Sequence, residues 1–150
     1  MAVSFKELWA WHPSNLGNDS PCATDGTVNF KNQCAIRMGE CFSKSGVLLN
    51  SFYGAKCYPG HKHNQSHILR AEELAGWMKT QPVFFGKVET KRNVKASDYA
   101  NKNGIIFLKN FWGAGNQGDH IDLWDGSEMT GDARPSYIAA AQEVWFWGVS

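Results

Sequence analysis

The sequence predicts an α+β fold, with helices first and an antiparallel sheet after them. Apolar residues recur at helical spacing as far as residue 79. From residue 83 they come instead in short β-branched or aromatic runs separated by Gly, Asn, Asp and Pro. Size is the third observation: 150 residues, 43% of them hydrophobic and without internal repeat, suit one domain spanning 1–150 around a single core.

Taken in order, residues 12–33 are rich in Pro, Ser, Asn, Asp and Gly and read as a long ordered loop rather than a linker. Asn32 is placed to cap a helix in which Cys34, Met38, Cys41 and Phe42 fall at i, i+4, i+7 and i+8, with Gly46 just beyond its end. A second helix spans 71–79: Leu74, Trp77 and Met78 share one face, Glu72, Glu73 and Lys79 the other, and Gln81-Pro82 stops it. Val83-Phe84-Phe85, residues 104–108, 121–124 and 144–147 read as strands. The glycine-rich stretch 110–118 suits a hairpin loop, and Asp125-Gly126 marks a turn.

Charge excludes several functions. Fifteen Lys and Arg against fourteen Asp and Glu give a net charge of +1, with no basic run to follow a phosphate backbone, so nucleic acid is not an expected partner. No stretch approaches the roughly 20 apolar residues of a bilayer span, and Met1 to Trp11 has no apolar run of signal-peptide length, so neither membrane insertion nor general export is expected.

Chemistry concentrates on a cysteine and a histidine. A cap at Asn32 puts Cys34 in the first turn of its helix, where unpaired amides and the positive end of the dipole favour thiolate over thiol. The same amides suit an oxyanion. Taken alone, Cys34 also fits a small buried hydrophobe on an apolar stripe. Cys41 lies about 10.5 Å further along an ideal helix, too far for a disulfide with Cys34. If Cys34 is a free nucleophile, Cys22, Cys41 and Cys57 form at most one bridge. Period-2 alternation in Asp119-His120-Ile121-Asp122-Leu123-Trp124 sets His120, Asp122 and Trp124 on one strand face, which gives Cys34 a distant partner base of the papain kind.

A second cluster, His61, His63 and His67, has ligand-like spacing for zinc and, with Asp122, offers an alternative metallopeptidase. It lacks a Glu between His63 and His67 to serve as base, and its Gly-, Lys- and Asn-rich surroundings equally suit a solvated loop. The main reading requires no metal and no other cofactor. A third possibility is a non-catalytic module that binds cell wall through its aromatic residues.

The order of these motifs resembles the fourth family of type VI secretion amidase effectors, itself similar to the NlpC/P60 papain-like peptidases. The resemblance runs through Asn32-Gln33-Cys34-Ala35-Ile36-Arg37-Met38, through the block from Gly60-His61-Lys62-His63 to His67-Ile68-Leu69-Arg70-Ala71-Glu72-Glu73-Leu74-Ala75, through Gly104-Ile105-Ile106-Phe107, and through Gly118-Asp119-His120-Ile121-Asp122-Leu123-Trp124.

The resemblance implies a papain-like fold and an antibacterial toxin made in the cytoplasm and passed without a signal peptide, by the type VI machinery, into a target cell's periplasm. There it would hydrolyse the γ-D-glutamyl to meso-diaminopimelate bond of peptidoglycan stem peptides. A cognate immunity protein would block the cleft. Cys34 matches the family's nucleophile and His120 its base. The family's third residue, an Asp following a Thr, maps to Met129-Thr130-Gly131-Asp132, where a glycine intervenes. Asp132 is thus assigned to orient the imidazole. Asp122 is its rival, sharing a strand face with His120 but hindered by the pleat from reaching Nδ1. Arg37 and Lys62 are candidate cations for an acidic stem peptide, His61 and His63 candidate walls of the cleft, Phe111 and Trp112 candidate packing surfaces, and Asp122 a further candidate substrate contact.

Overall fold

A computed structural model describes residues 2–24, 27–28, 33–56, 67–110, 118–131 and 133–150. Helix α1 (Phe5–Trp11), which the periodicity reading does not single out, buries Phe5 and Leu8, and the Ser4 hydroxyl accepts the Glu7 amide at its start. Pro13 ends it, because the residue before a proline is pushed out of helical geometry, and His12 has ψ of 127°. A 3-10 turn (Pro13–Leu16) follows, then the short pair β1 (Ala23–Thr24) and β2 (Thr27–Val28).

Helix α2 (Cys34–Lys44) buries Cys34, Met38, Cys41 and Phe42 together with Ala35, Ile36 and Gly39, as the spacing predicts. Its cap position is Gln33 rather than Asn32, which lies outside the described residues, so Cys34 is the first helical residue. Gly46 closes the far end with φ of +89°, and the Val47 amide reaches back to the Phe42 carbonyl at 2.9 Å. Helix α3 (Ala71–Lys79) also has the predicted bounds and buries Leu74, Trp77 and Met78.

Val83-Phe84-Phe85, expected as a strand, is instead a one-turn helix, α4 (Pro82–Phe85). Proline at its first position sets φ near the helical value, and Gly86, at φ of +76°, ends it. A three-residue apolar run has no periodicity to tell helix from strand.

The sheet comprises β3 (Glu89–Lys91), β4 (Gly104–Lys109), β5 (His120–Trp124) and β6 (Glu143–Gly148), all antiparallel, in the order β3-β6-β4-β5. Strands β4 and β5 form the expected hairpin, Leu108 opposite His120 and Gly104 opposite Trp124. A 3-10 turn (Ala96–Tyr99) and the one-turn helix α5 (Tyr137–Ala140) complete the described elements.

One sheet face, with Ile105, Phe107, Ile121, Leu123, Trp145 and Trp147, packs on the helices. The other, with Ile106, Leu108, Trp124, Val144 and Phe146, is covered by Tyr99, Met129 and Ile138. Coverage on both faces explains why β4 and β6 are continuously apolar rather than alternating. Helix α2 packs against β5, the edge strand, and so brings Cys34 to His120 across the chain. No helix among the described residues is long and apolar enough to cross a membrane.

Candidate active site

The site is assembled where the start of α2 meets the start of β5. Gln33 fixes the approach: its side chain accepts the Cys22 amide at 2.9 Å and donates to the Cys22 carbonyl at 3.0 Å, both bonds buried. The helical ladder begins with the Arg37 amide on the Gln33 carbonyl at 2.8 Å, leaving the amides of Cys34, Ala35 and Ile36 outside it. Cys34 lies 3.9 Å from the Asp119 carbonyl and hydrogen-bonds the His120 imidazole.

His120 Nε2 lies 2.8 Å from Asp122 Oδ2, which turns Nδ1 to the thiol. Asp122 Oδ1 is held separately, by the Leu123 amide at 2.8 Å, the Thr130 amide at 3.4 Å and the Thr130 hydroxyl. Thr130 arrives through a tight return. Asp125 Oδ1 accepts the Ser127 and Glu128 amides, Gly126 takes φ of +101°, and Met129 pairs with Trp124, which leaves Thr130 abreast of Asp122. Gly131 follows at φ of +58°, with Ser14 Oγ 3.2 Å from where a Cβ would sit, so a side chain there would meet both strain and crowding.

Burial and partners oppose each other at all three groups. Burial, the largest influence on Cys34, raises its pKa. The hydrogen bond and charge of His120, the Ile121 amide and Arg37 outweigh it, and the thiol is held below its ordinary value. Burial lowers His120, but bonds to Asp122 and Cys34 push it up to about 10. Burial raises Asp122, yet His120, His12 and Thr130 hold it below the usual carboxylate range. At neutral pH the row therefore holds an imidazolium and a carboxylate, with a thiol of lowered pKa against the imidazole. Such a row suits acyl transfer, which requires a nucleophile and a proton donor for a leaving amine.

A pocket of about 470 Å³ opens above the sulfur, lined by Cys34, Leu69, Arg70, Ala71, Glu72, Glu73 and Asp119. Glu73 is anchored by accepting the Ala55 amide at 2.8 Å, and Glu72 pairs with Lys109 at 3.4 Å. Asp119 Oδ1 accepts the Asn110 amide at 3.0 Å, fastening the hairpin loop at its base.

Of the residues singled out in the sequence, Cys34, His120 and Asp122 come together. Asp122, expected also as a substrate contact, is 2% exposed with both oxygens engaged, so burial removes it from the pocket. Arg37 donates to the Asp19 carbonyl at 2.6 Å and is not among the pocket's lining residues. His61, Lys62, His63, Phe111, Trp112, Asp132 and Cys57 lie outside the described residues. His67, third member of the zinc reading, is buried with Nε2 on Glu40 at 2.8 Å. Among the described residues no three His, Cys, Asp or Glu are grouped to hold a metal.

The sequence analysis does not point to His12 at the site or to Arg70, Glu72, Glu73 and Asp119 as pocket lining, and the family-like motifs contain Gln33 and Thr130 without giving either a role. Besides its motif, the Asp125-Gly126 turn is a signal for Thr130, since a tight return sets the next strand beside β5.

Residues 30–147 match the family model described as type VI secretion system (T6SS), amidase effector protein 4. No curated protein matches the sequence. Among solved structures, the fold is similar to the effector-immunity complex Tae4-Tai4 from Enterobacter cloacae (21% identity, TM-score 0.72, all of both chains). It is equally similar to the corresponding complex from Salmonella Typhimurium (22%, 0.72, 99% of each chain). Tae4 alone from Enterobacter cloacae gives 22% and 0.71 over 100% of this chain and 98% of that one. The match extends from before the Cys34 helix into the last strand, and the chain belongs to the amidase effector protein 4 family of the type VI secretion system.

Proposed function

We propose that this amidase effector cleaves the γ-D-glutamyl to meso-diaminopimelate bond of peptidoglycan stem peptides, with Cys34 as nucleophile, His120 as acid and base, and Asp122 as the carboxylate that orients the imidazole. The observation that carries it is the Cys34 sulfur at the amide end of α2, against the His120 imidazole, beneath a pocket of about 470 Å³.

The thiolate attacks the γ-glutamyl carbonyl, forming a C–S bond while the first-turn amides hold the oxyanion. The C–N bond breaks as the imidazolium proton passes to the departing amine of diaminopimelate. His120, now neutral, takes a proton from water. The hydroxide adds to the thioester, the C–S bond breaks, and thiolate and imidazolium are restored. Arg70, 70% exposed at the pocket rim, suits a stem-peptide carboxylate.

Support for Asp122 rather than Asp132 in the orienting role comes from the 2.8 Å contact on Nε2, which leaves Nδ1 for the thiol. The site of action would be the periplasm of a target cell reached through the type VI machinery, with a cognate immunity protein covering the pocket in kin cells.

The test is mass analysis of muropeptides after digestion of purified peptidoglycan. New γ-glutamyl carboxyl ends are expected with the native chain and none with Cys34→Ala. Unchanged muropeptides would rule out an amidase, and digestion by Cys34→Ala that stops with a chelator would replace the cysteine mechanism by a metal one.

A further inference from the structure

Behind Asp122, on the side away from His120, lies a second buried histidine. His12, between α1 and Pro13, is 1% exposed. Its Nδ1 accepts the Ser14 amide at 3.2 Å, so the neutral ring carries its hydrogen on Nε2. That nitrogen lies 3.4 Å from Thr130 Oγ1 and 3.7 Å from Asp122 Oδ1. The Thr130 hydroxyl gives its single hydrogen to Asp122 Oδ1, so its lone pairs are left to accept, and His12 Nε2–H is the donor facing them. Donation thus runs in one direction, from His12 to Thr130 to Asp122 Oδ1, while Oδ2 is left for His120.

We propose that His12 is a positioning residue for the active-site carboxylate, acting through the Thr130 hydroxyl to fix the Asp122 rotamer that meets the His120 imidazole. The inference rests on the reading of Cys34, His120 and Asp122 as the reacting group. Asp122 is held from three directions by the Leu123 amide, the Thr130 amide and the Thr130 hydroxyl, and the hydroxyl alone among these donors rotates. His12 removes that freedom.

The surroundings keep the ring in the form the relay needs. Asp122, Arg37, His120 and Asp19 all act on it, and burial, the largest influence, lowers its pKa to about 4. A protonated ring would carry hydrogen on Nδ1, against the Ser14 amide, and would set a second cation beside His120.

The experiment measures kcat and KM on a soluble muropeptide across pH, using the full chain and the variants His12→Phe, His12→Gln, Thr130→Val and Thr130→Ser. His12→Phe and Thr130→Val are expected to lower kcat about tenfold or more at little-changed KM, the scale of a small misplacement of reacting groups. Their pH profile should narrow from both sides, because an imidazolium without an oriented carboxylate gives up its proton earlier and stabilises the thiolate less.

His12→Gln, whose amide nitrogen reaches the place of Nε2, and Thr130→Ser should restore the width. Profiles of native width in His12→Phe, or kcat falling only in proportion to the folded fraction seen by circular dichroism, would overturn the proposal. Should His12→Phe fail to fold, Thr130→Val against Thr130→Ser decides, and equal profiles overturn it. Cys34→Ala run alongside keeps the two readings apart. Activity there overturns the site itself, whereas an inert Cys34→Ala leaves the His12 variants to be judged on their own profiles.

Discussion

Cys34 and Cys41 lie seven residues apart on α2, both buried on its apolar stripe, and their thiols are driven in opposite directions. Burial is the largest influence on each and raises each. At Cys41 it prevails: the sulfur donates to the Leu8 carbonyl at 3.1 Å, the thiol stays protonated, and its pKa moves well above the ordinary value. At Cys34 the His120 imidazole, the Ile121 amide and Arg37 outweigh burial, and the pKa moves down. The difference lies in what other elements bring to each sulfur: His120 and Ile121 of β5 at Cys34, the Leu8 carbonyl of α1 at Cys41. Donors and a neighbouring cation lower a thiol's pKa even where burial raises it.

The sharpest break of this contrast is in turnover. Cys34→Ala is expected to lower kcat on muropeptides by about 10⁴-fold or more, the order seen when a nucleophile is removed. Cys41→Ala is expected to leave kcat within about twofold while reducing stability in urea denaturation by about 1–3 kcal/mol, as a small cavity replaces a buried sulfur. Loss of activity in a folded Cys41→Ala would show that the two ends of α2 are not independent.

Next in size is the carboxylate. Asp122→Asn should reduce kcat by about 10²–10⁴-fold, since an amide neither stabilises the imidazolium nor selects its tautomer. Asp132→Asn is expected to cost less than about fivefold on the same assay. The reverse order would return the orienting role to Asp132.

Alkylation then reads the thiols directly. Iodoacetamide at pH 6–7 should label Cys34, open to the pocket, at least about tenfold faster than Cys41, which should react only after unfolding. Equal rates in the native chain would deny any activation of Cys34.

The smallest effects belong to the two histidines that share Asp122, which repeat the contrast in imidazole form. His120 is raised from 6.5 to about 10, so its contribution to folding is complete below pH 6.5 and disappears as pH climbs towards 10. His12 is lowered from 6.5 to about 4, so the unfolded chain takes up a proton there first and stability falls as pH drops from 6.5 to 4. Urea midpoints measured across pH should flatten on the alkaline side in His120→Gln and on the acid side in His12→Phe. Parallel curves for all three proteins would remove both assignments.

Much of this arrangement was legible beforehand because it is written in local periodicity. The stripe through Cys34, Met38, Cys41 and Phe42 gave α2. The alternation through β5 put His120 and Asp122 on one face, and β4 and β6 followed from their apolar runs. Where periodicity was too short the reading failed: Val83-Phe84-Phe85 took its form from Pro82, and the exposed Glu89–Lys91 carried no pattern at all. Strand order was illegible for another reason, since β6 enters between β3 and β4 by pairings far apart in sequence.

The site divides the same way. Cys34 and His120 were marked by their own elements. The pleat hinders Asp122 from reaching Nδ1, and it meets Nε2 instead. His12 stands 110 positions from Asp122, and nothing local to either foretells the contact.

The return from Trp124 to Thr130 has a consequence for how such chains vary. Surface turns are ordinarily where insertions and deletions are harmless, because nothing downstream depends on their length. Here the span from Asp125 to Glu128 acts as a ruler. One residue more would set the Met129 thioether where the hydroxyl meets Asp122, and one fewer would set the Thr130 hydroxyl among Tyr99, Trp124 and Ile138. A solvent-facing loop outside the pocket lining is thereby under the same length constraint as β5, and indels tolerated elsewhere on the surface are expected to abolish activity at this turn.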